Sequence, residues 1–143
     1  RLVALLYLDV DDFKSVNDAL GHGAGDALLR AVADGLVRCV RRSDSAARLG
    51  GDEFAVLVED VNDQREVEAL AERIRATLAD PVTLDGRVVG ATVSIGVAFA
   101  DHRRTSEQVL HDADLAMYEA KSHGKNRYEV SGADRVAEGG ERS

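Results

Sequence analysis

The alternation of apolar and polar positions predicts the elements one after another. Leu2 to Val10 is a nearly continuous apolar run, as expected of a strand buried on both faces. A short helix follows from Phe13 to Leu20 and ends at Gly21. A longer helix begins near Asp26, with Leu28, Leu29, Val32, Leu36, Cys39 and Val40 along one side. Two short strands, Ala46–Leu49 and Phe54–Val58, flank a tight turn at Gly50-Gly51. Asp63 with Glu66 has the spacing of a capping box, and Val67, Leu70, Ala71, Ile74 and Leu78 continue as a helical stripe until Pro81. Asp85-Gly86 reads as a hairpin turn and Val88–Ala98 as one long strand. Thr105 with Gln108 caps a last helix through Lys121, with Gly124 beyond it, and Arg127–Val130 is a closing strand.

Strand, helix, hairpin, helix, strand, helix and strand, in that order, predict an α/β fold, an α+β sandwich of the split-βαβ type. Its central sheet is mostly antiparallel and covered by helices. In such a sheet the second hairpin strand returns beside the first, so that Asp52 and Glu53 at its start lie next to Asp9. Residues 1–130 make one domain, and the Gly-rich, charged tail 131–143 is expected to be disordered.

Composition narrows the function. With 45% apolar residues and one Pro, a sizeable core and long regular elements are possible. Acidic residues number 26 against 18 Lys and Arg, a formal charge of −8, the wrong sign for a protein that grips nucleic-acid phosphates. No apolar run approaches membrane-spanning length and no basic-then-apolar leader precedes the first strand, so no membrane contact by this domain is expected. A single cysteine, Cys39, excludes an internal disulfide and suits the cytoplasm, although a parent protein with a membrane anchor stays open.

The chemistry-bearing residues gather at strand ends. Asp9 closes an otherwise apolar strand, Asp11 and Asp12 follow, and Asp52 and Glu53 sit at the hairpin tip. Taken singly, each reads as a solvated loop acid. Together on two adjoining strand ends they form a self-repelling cluster that favours a cation, and hard oxygen ligands with room for water and phosphate suit Mg²⁺. Gly50 and Gly51 serve a turn and also let a nucleotide approach the backbone. Phe13 and Lys14 open a helix whose free N–H groups can hold phosphate. Lys121 and Lys125 lie a turn apart near a helix C-terminus, where dipole compensation alone explains them.

Several spaced motifs resemble one family. Leu8-Asp9-Val10-Asp11-Asp12-Phe13-Lys14, Asn17-Asp18 and Gly21-His22-Gly23-Ala24-Gly25-Asp26 are similar to the opening signature of the GGDEF-domain diguanylate cyclases. Arg48-Leu49-Gly50-Gly51-Asp52-Glu53-Phe54 resembles the motif that names them. Ser94-Ile95-Gly96-Val97 and Ala113 to Lys121 through Gly124-Lys125-Asn126 resemble later blocks. The resemblance implies a nucleotidyl-cyclase or polymerase-palm-like fold and the condensation of two GTP into cyclic di-GMP, with Mg²⁺ (two per half-site, Mn²⁺ as a substitute). Two copies would face each other about a two-fold axis.

The resemblance also implies roles. Asp9, Asp52 and the Val10 carbonyl would hold metal; Glu53 would join them or orient Lys14. Either Asp52 or Glu53 would assist loss of the 3′-hydroxyl proton. Asn17 and Asp26 would read guanine. Backbone at Asp12 and Phe13, with Lys121 and Lys125, would bind phosphates. Arg41 and Asp44, an Arg-x-x-Asp upstream of the hairpin, correspond to the family's product-inhibition site, with Asp44 accepting from guanine. The family usually carries a short helix and a Leu-Thr-Gly-Leu loop before the first strand. The sequence starts at Arg1 on that strand, as a trimmed fragment would, so efficient turnover by this piece is not expected. The rival readings are a non-enzymatic GTP- or cyclic di-GMP-binding module and a different nucleotide cyclase or polymerase-like palm.

Overall fold

A computed structural model describes residues 2–84 and 86–134. The described chain runs β1 (Leu2–Val10), α1 (Phe13–Leu20), α2 (His22–Cys39), β2 (Ser45–Gly50), β3 (Glu53–Val61), α3 (Gln64–Ala79), β4 (Val82–Leu84), β5 (Arg87–Val89), β6 (Val93–Ala100), α4 (Ser106–Ser122) and β7 (Arg127–Val130). Five strands form one sheet in the order β2-β3-β1-β6-β7. All its pairings are antiparallel except β6 with β7. The α+β sandwich expected from the element order is the observed architecture.

β1 lies at the centre of the sheet, but it is not buried equally on both sides. Ala4, Leu6, Leu8 and Val10 are fully buried in the main core with the inner stripes of α2 and α3, whereas Leu5, Tyr7 and Asp9 are only half-buried. On that second face α4 supplies the cover, with Val109 and Ala113 against Ala98, Leu5 and Tyr7. Gly96 makes this approach possible, because a Cβ there would overlap the Ala113 carbonyl and the Met117 backbone. Removing apolar side chains from water drives both layers together.

Four expectations are corrected. α2 starts at His22 rather than near Asp26. Asp63 caps α3 by accepting from the Arg65 N–H, while Glu66 turns to Arg41, so no capping box forms. Thr105 and Gln108 do form one on α4. The expected long strand Val88–Ala98 is broken at Gly90–Thr92: β5 pairs with β4 in a separate two-stranded ribbon and β6 enters the main sheet. The Asp85-Gly86 turn falls partly outside the described residues, and Leu84 pairs with Arg87 across it. The expected disorder fails at its start, because Ser131 and Asp134 are buried. The Ser131 N–H donates to the Val97 carbonyl, and Asp134 accepts from the Phe99 N–H and from Arg104. Residues 135–143 lie outside the described set.

Candidate active site

The rim of the sheet is set by register. Asp9 pairs with Glu53 across β1 and β3, and the Val10 N–H donates to the Asp52 carbonyl at 3.1 Å. The turn is centred one residue later than its sequence suggests: Gly50 pairs with Glu53, leaving Gly51-Asp52 as the loop. Gly50 (φ 144°) and Gly51 (φ 50°) both occupy backbone regions that side chains rarely adopt. Arg48 fastens the tip, its Nε and Nη2 donating to the Gly51 carbonyl at 3.0 and 2.7 Å. Asp9, Asp52 and Glu53 are thereby brought to one edge.

Asp9 is poorly satisfied there. Among the described residues its buried Oδ1 has no hydrogen-bond partner, and its Oδ2 faces Lys121 Nζ at 3.1 Å. Burial pushes its carboxyl up to about 6; Asp52 within hydrogen-bonding reach adds to this, and Lys121 opposes it. Two carboxylates at adjoining strand ends repel unless one carries a proton or a cation lies between them. Among the described residues no group of three His, Cys, Asp or Glu side chains forms a ready metal cage. Mg²⁺ seldom needs one, being held by one or two carboxylates with water and substrate phosphate completing its shell. An orphaned buried oxygen and a like-charged partner fit such an ion.

Asp11 and Asp12 do not join the cluster. Asp11 is buried and accepts from Thr92 Oγ1, Ser94 Oγ and the Asn126 N–H at 2.6, 2.6 and 3.0 Å. It anchors the turn after α4, where Lys125 (φ 63°) and Asn126 (φ 49°) are left-handed. That turn delivers Lys125 Nζ to Asp12 Oδ1 at 2.7 Å. Asp12 itself is left-handed (φ 55°), and no side chain caps α1, so its first turn, with Phe13 and Lys14, stays open to an acceptor.

Asn17 and Asp26 are carried by α1 and α2, which meet closely at Gly25, where a Cβ would overlap the Asn17 amide. The Asn17 Oδ1 is buried without a partner among the described residues. Asp26 lines a cleft of about 300 Å³ with Leu29, Arg30, Ala33, Arg48 and Phe54.

Arg41 and Asp44 lie at the other end of β2. Asp44 is buried and accepts from the Arg41 N–H at 3.0 Å and from its Nε at 3.4 Å. Arg41 also donates to Glu66 Oε1 and to the Glu59 carbonyl. Asp44 has no exposed side-chain surface against 48% for Arg41, and its carboxylate is engaged by the arginine.

Sequence reading passed over Tyr7, whose hydroxyl donates to Glu53 Oε1 at 3.1 Å. In an apolar strand it reads as core, and only the register reveals its neighbour. It also left Arg48 without a role.

The family model described as "Diguanylate cyclase, GGDEF domain" matches residues 1–127. The chain is 41% identical over 138 residues to diguanylate cyclase TpbB of Pseudomonas aeruginosa, covering 95% of this chain and 30% of that protein. It is 38% identical over 125 residues to the cyclic di-GMP phosphodiesterase NbdA of the same organism, covering 87% and 16%. Among solved structures, the GGDEF domain of DgcB from Caulobacter crescentus, in complex with c-di-GMP, superposes with a TM-score of 0.85 at 32% identity, covering 90% of this chain and 77% of that one. The chain thus spans less than a third of either curated relative. The family match over most of the chain agrees with the motif blocks, and the chain belongs to the GGDEF-domain family of diguanylate cyclases.

Proposed function

We propose that this domain condenses two GTP into cyclic di-GMP, releasing two pyrophosphates. The observation that carries the reading is the Asp9–Asp52 pair at adjoining strand ends, with a buried Asp9 oxygen that has no donor among the described residues. Asp9, Asp52 and the Val10 carbonyl would hold Mg²⁺, with Glu53 beside them. When bound, the ions neutralise phosphate charge and lower the cost of ionising the attacking 3′-hydroxyl. The open first turn of α1 at Asp12, Phe13 and Lys14, with Lys121 and Lys125 released from their carboxylate partners, would take the phosphates. Asn17 and Asp26 would read the guanine, whose N1–H and amino group form a donor pair that adenine lacks. Gly50 and Gly51 would leave room for the nucleotide against the backbone. Either Asp52 or Glu53 accepts the 3′-hydroxyl proton as the oxygen attacks the α-phosphate of the facing GTP.

Each domain then supplies half a site, and a two-fold dimer completes it. Among the described residues no helix is long and apolar enough to cross a membrane. The test is purified protein with GTP and Mg²⁺, followed by chromatography. Cyclic di-GMP from the wild type and none from Asp52→Asn is the expected result; a wild type that binds GTP without product favours the binding-module reading.

Product feedback at Arg41 is the second part of the proposal, supported by the half-exposed guanidinium beside a pocket shared with Glu66, Leu70 and Arg73. Product bound there is remote from Asp52 and inhibits by coupling between sites. Arg41→Ala should weaken cyclic di-GMP binding with little change in initial rate, and calorimetry showing equal affinity would contradict it.

A further inference from the structure

Tyr7 is a polar side chain in a place where the core asks only for an apolar one. Its ring packs with Leu5 and Ala100 against Ala98, Val109 and Ala113 beneath α4. Its hydroxyl reaches across from β1 to β3 and donates to Glu53 Oε1 at 3.1 Å. Tyr7 and Asp9 are two residues apart on one strand and therefore share a face, and Glu53 stands opposite Asp9 in the register. No other hydrogen bond or ion pair holds the Glu53 carboxylate among the described residues.

We propose that Tyr7 is a positioning residue: its hydroxyl fixes the Glu53 carboxylate by Oε1 and leaves Oε2 to face the divalent cation held beside Asp9. The inference rests on the metal reading above and adds to it a residue that never touches metal or nucleotide. Without the hydroxyl, Glu53 regains rotamer freedom that cation binding must then remove. A hydrogen bond to a charged group on a half-exposed carboxylate is worth about threefold to tenfold in affinity.

The experiment is a double-mutant cycle on Mn²⁺ affinity, read by calorimetry with a non-hydrolysable GTP analogue present. Tyr7→Phe keeps the ring and its packing, so the fold survives. It should weaken Mn²⁺ binding about threefold to tenfold and raise the metal concentration for half-maximal turnover in proportion, with kcat at saturating metal little changed. In the Glu53→Ala background the same substitution should have no further effect, an outcome that a merely structural role would not give. Additive losses in the double variant would overturn the proposal. So would unchanged affinity in Tyr7→Phe beside a clear loss in Asp9→Asn, and that result would leave the metal reading standing. Absence of Mn²⁺ binding by the wild type would overturn both.

Discussion

Asp9 and Asp11 stand two residues apart at one strand end and meet opposite surroundings. Asp11 is buried with three donors directed at it, from Thr92, Ser94 and Asn126. Among the described residues Asp9 has one oxygen with no donor, a second carboxylate nearby, and Lys121 to balance it. The first arrangement completes itself and ties α1, β6 and the turn after α4 together. The second is incomplete as a piece of protein, which is what the proposed cation site requires. Asp12, the next residue, is the third case: largely exposed and paired with Lys125 at the surface.

Substitution should separate the three. Asp11→Ala leaves a buried hydroxyl, a half-buried one and a turn N–H without their acceptor, and should cost about 3 kcal/mol, lowering the melting temperature by roughly 10 °C. Thermal melting checks this, and a loss under about 1 kcal/mol would remove the distinction between the two acids. Asp9→Asn should have the opposite sign at neutral pH. Folding raises the Asp9 pKa from 3.8 to about 6, so its stabilising share is complete below 3.8 and is lost as pH rises through about 6. At about pH 7.5 the variant should therefore melt a few degrees higher than wild type, on the order of 1 kcal/mol after discounting for solvent screening. The gain should fade by about pH 4, and a pH-independent difference would assign it to something other than the Asp9 charge. Asp12→Asn keeps a residue that tolerates the left-handed backbone and removes only a surface charge, so melting should stay within about 1 °C of wild type.

What could be read from the sequence follows the range of the interactions. The α4 cap was legible because Thr105 and Gln108 are three residues apart, and the inner stripe of α3 because Val67 to Leu78 repeats at helical period. The adjacency of Asp9 to the hairpin followed from topology alone. The break at Gly90–Thr92 was hidden inside an apolar run, since an edge ribbon and a central strand draw on the same residues. Asp9 and Asp11 look alike in sequence, because Thr92 and Ser94 lie 81 and 83 positions from Asp11. Tyr7 was lost for the same reason, its partner being 46 positions away. Asp63 and Glu66 had the spacing of a capping box, but Arg41, 25 positions from Glu66, claimed that side chain.

The central claim is that the deficit at Asp9 is relieved by a divalent cation arriving with nucleotide. Thermal melting of wild type and Asp9→Asn at about pH 7.5, with and without Mg²⁺ and a non-hydrolysable GTP analogue, tests it most directly. A reversal of order is expected: Asp9→Asn is the more stable without ligands, and the wild type overtakes it once Mg²⁺ and the analogue are added. Equal stabilisation of the two proteins, or of neither, would contradict it.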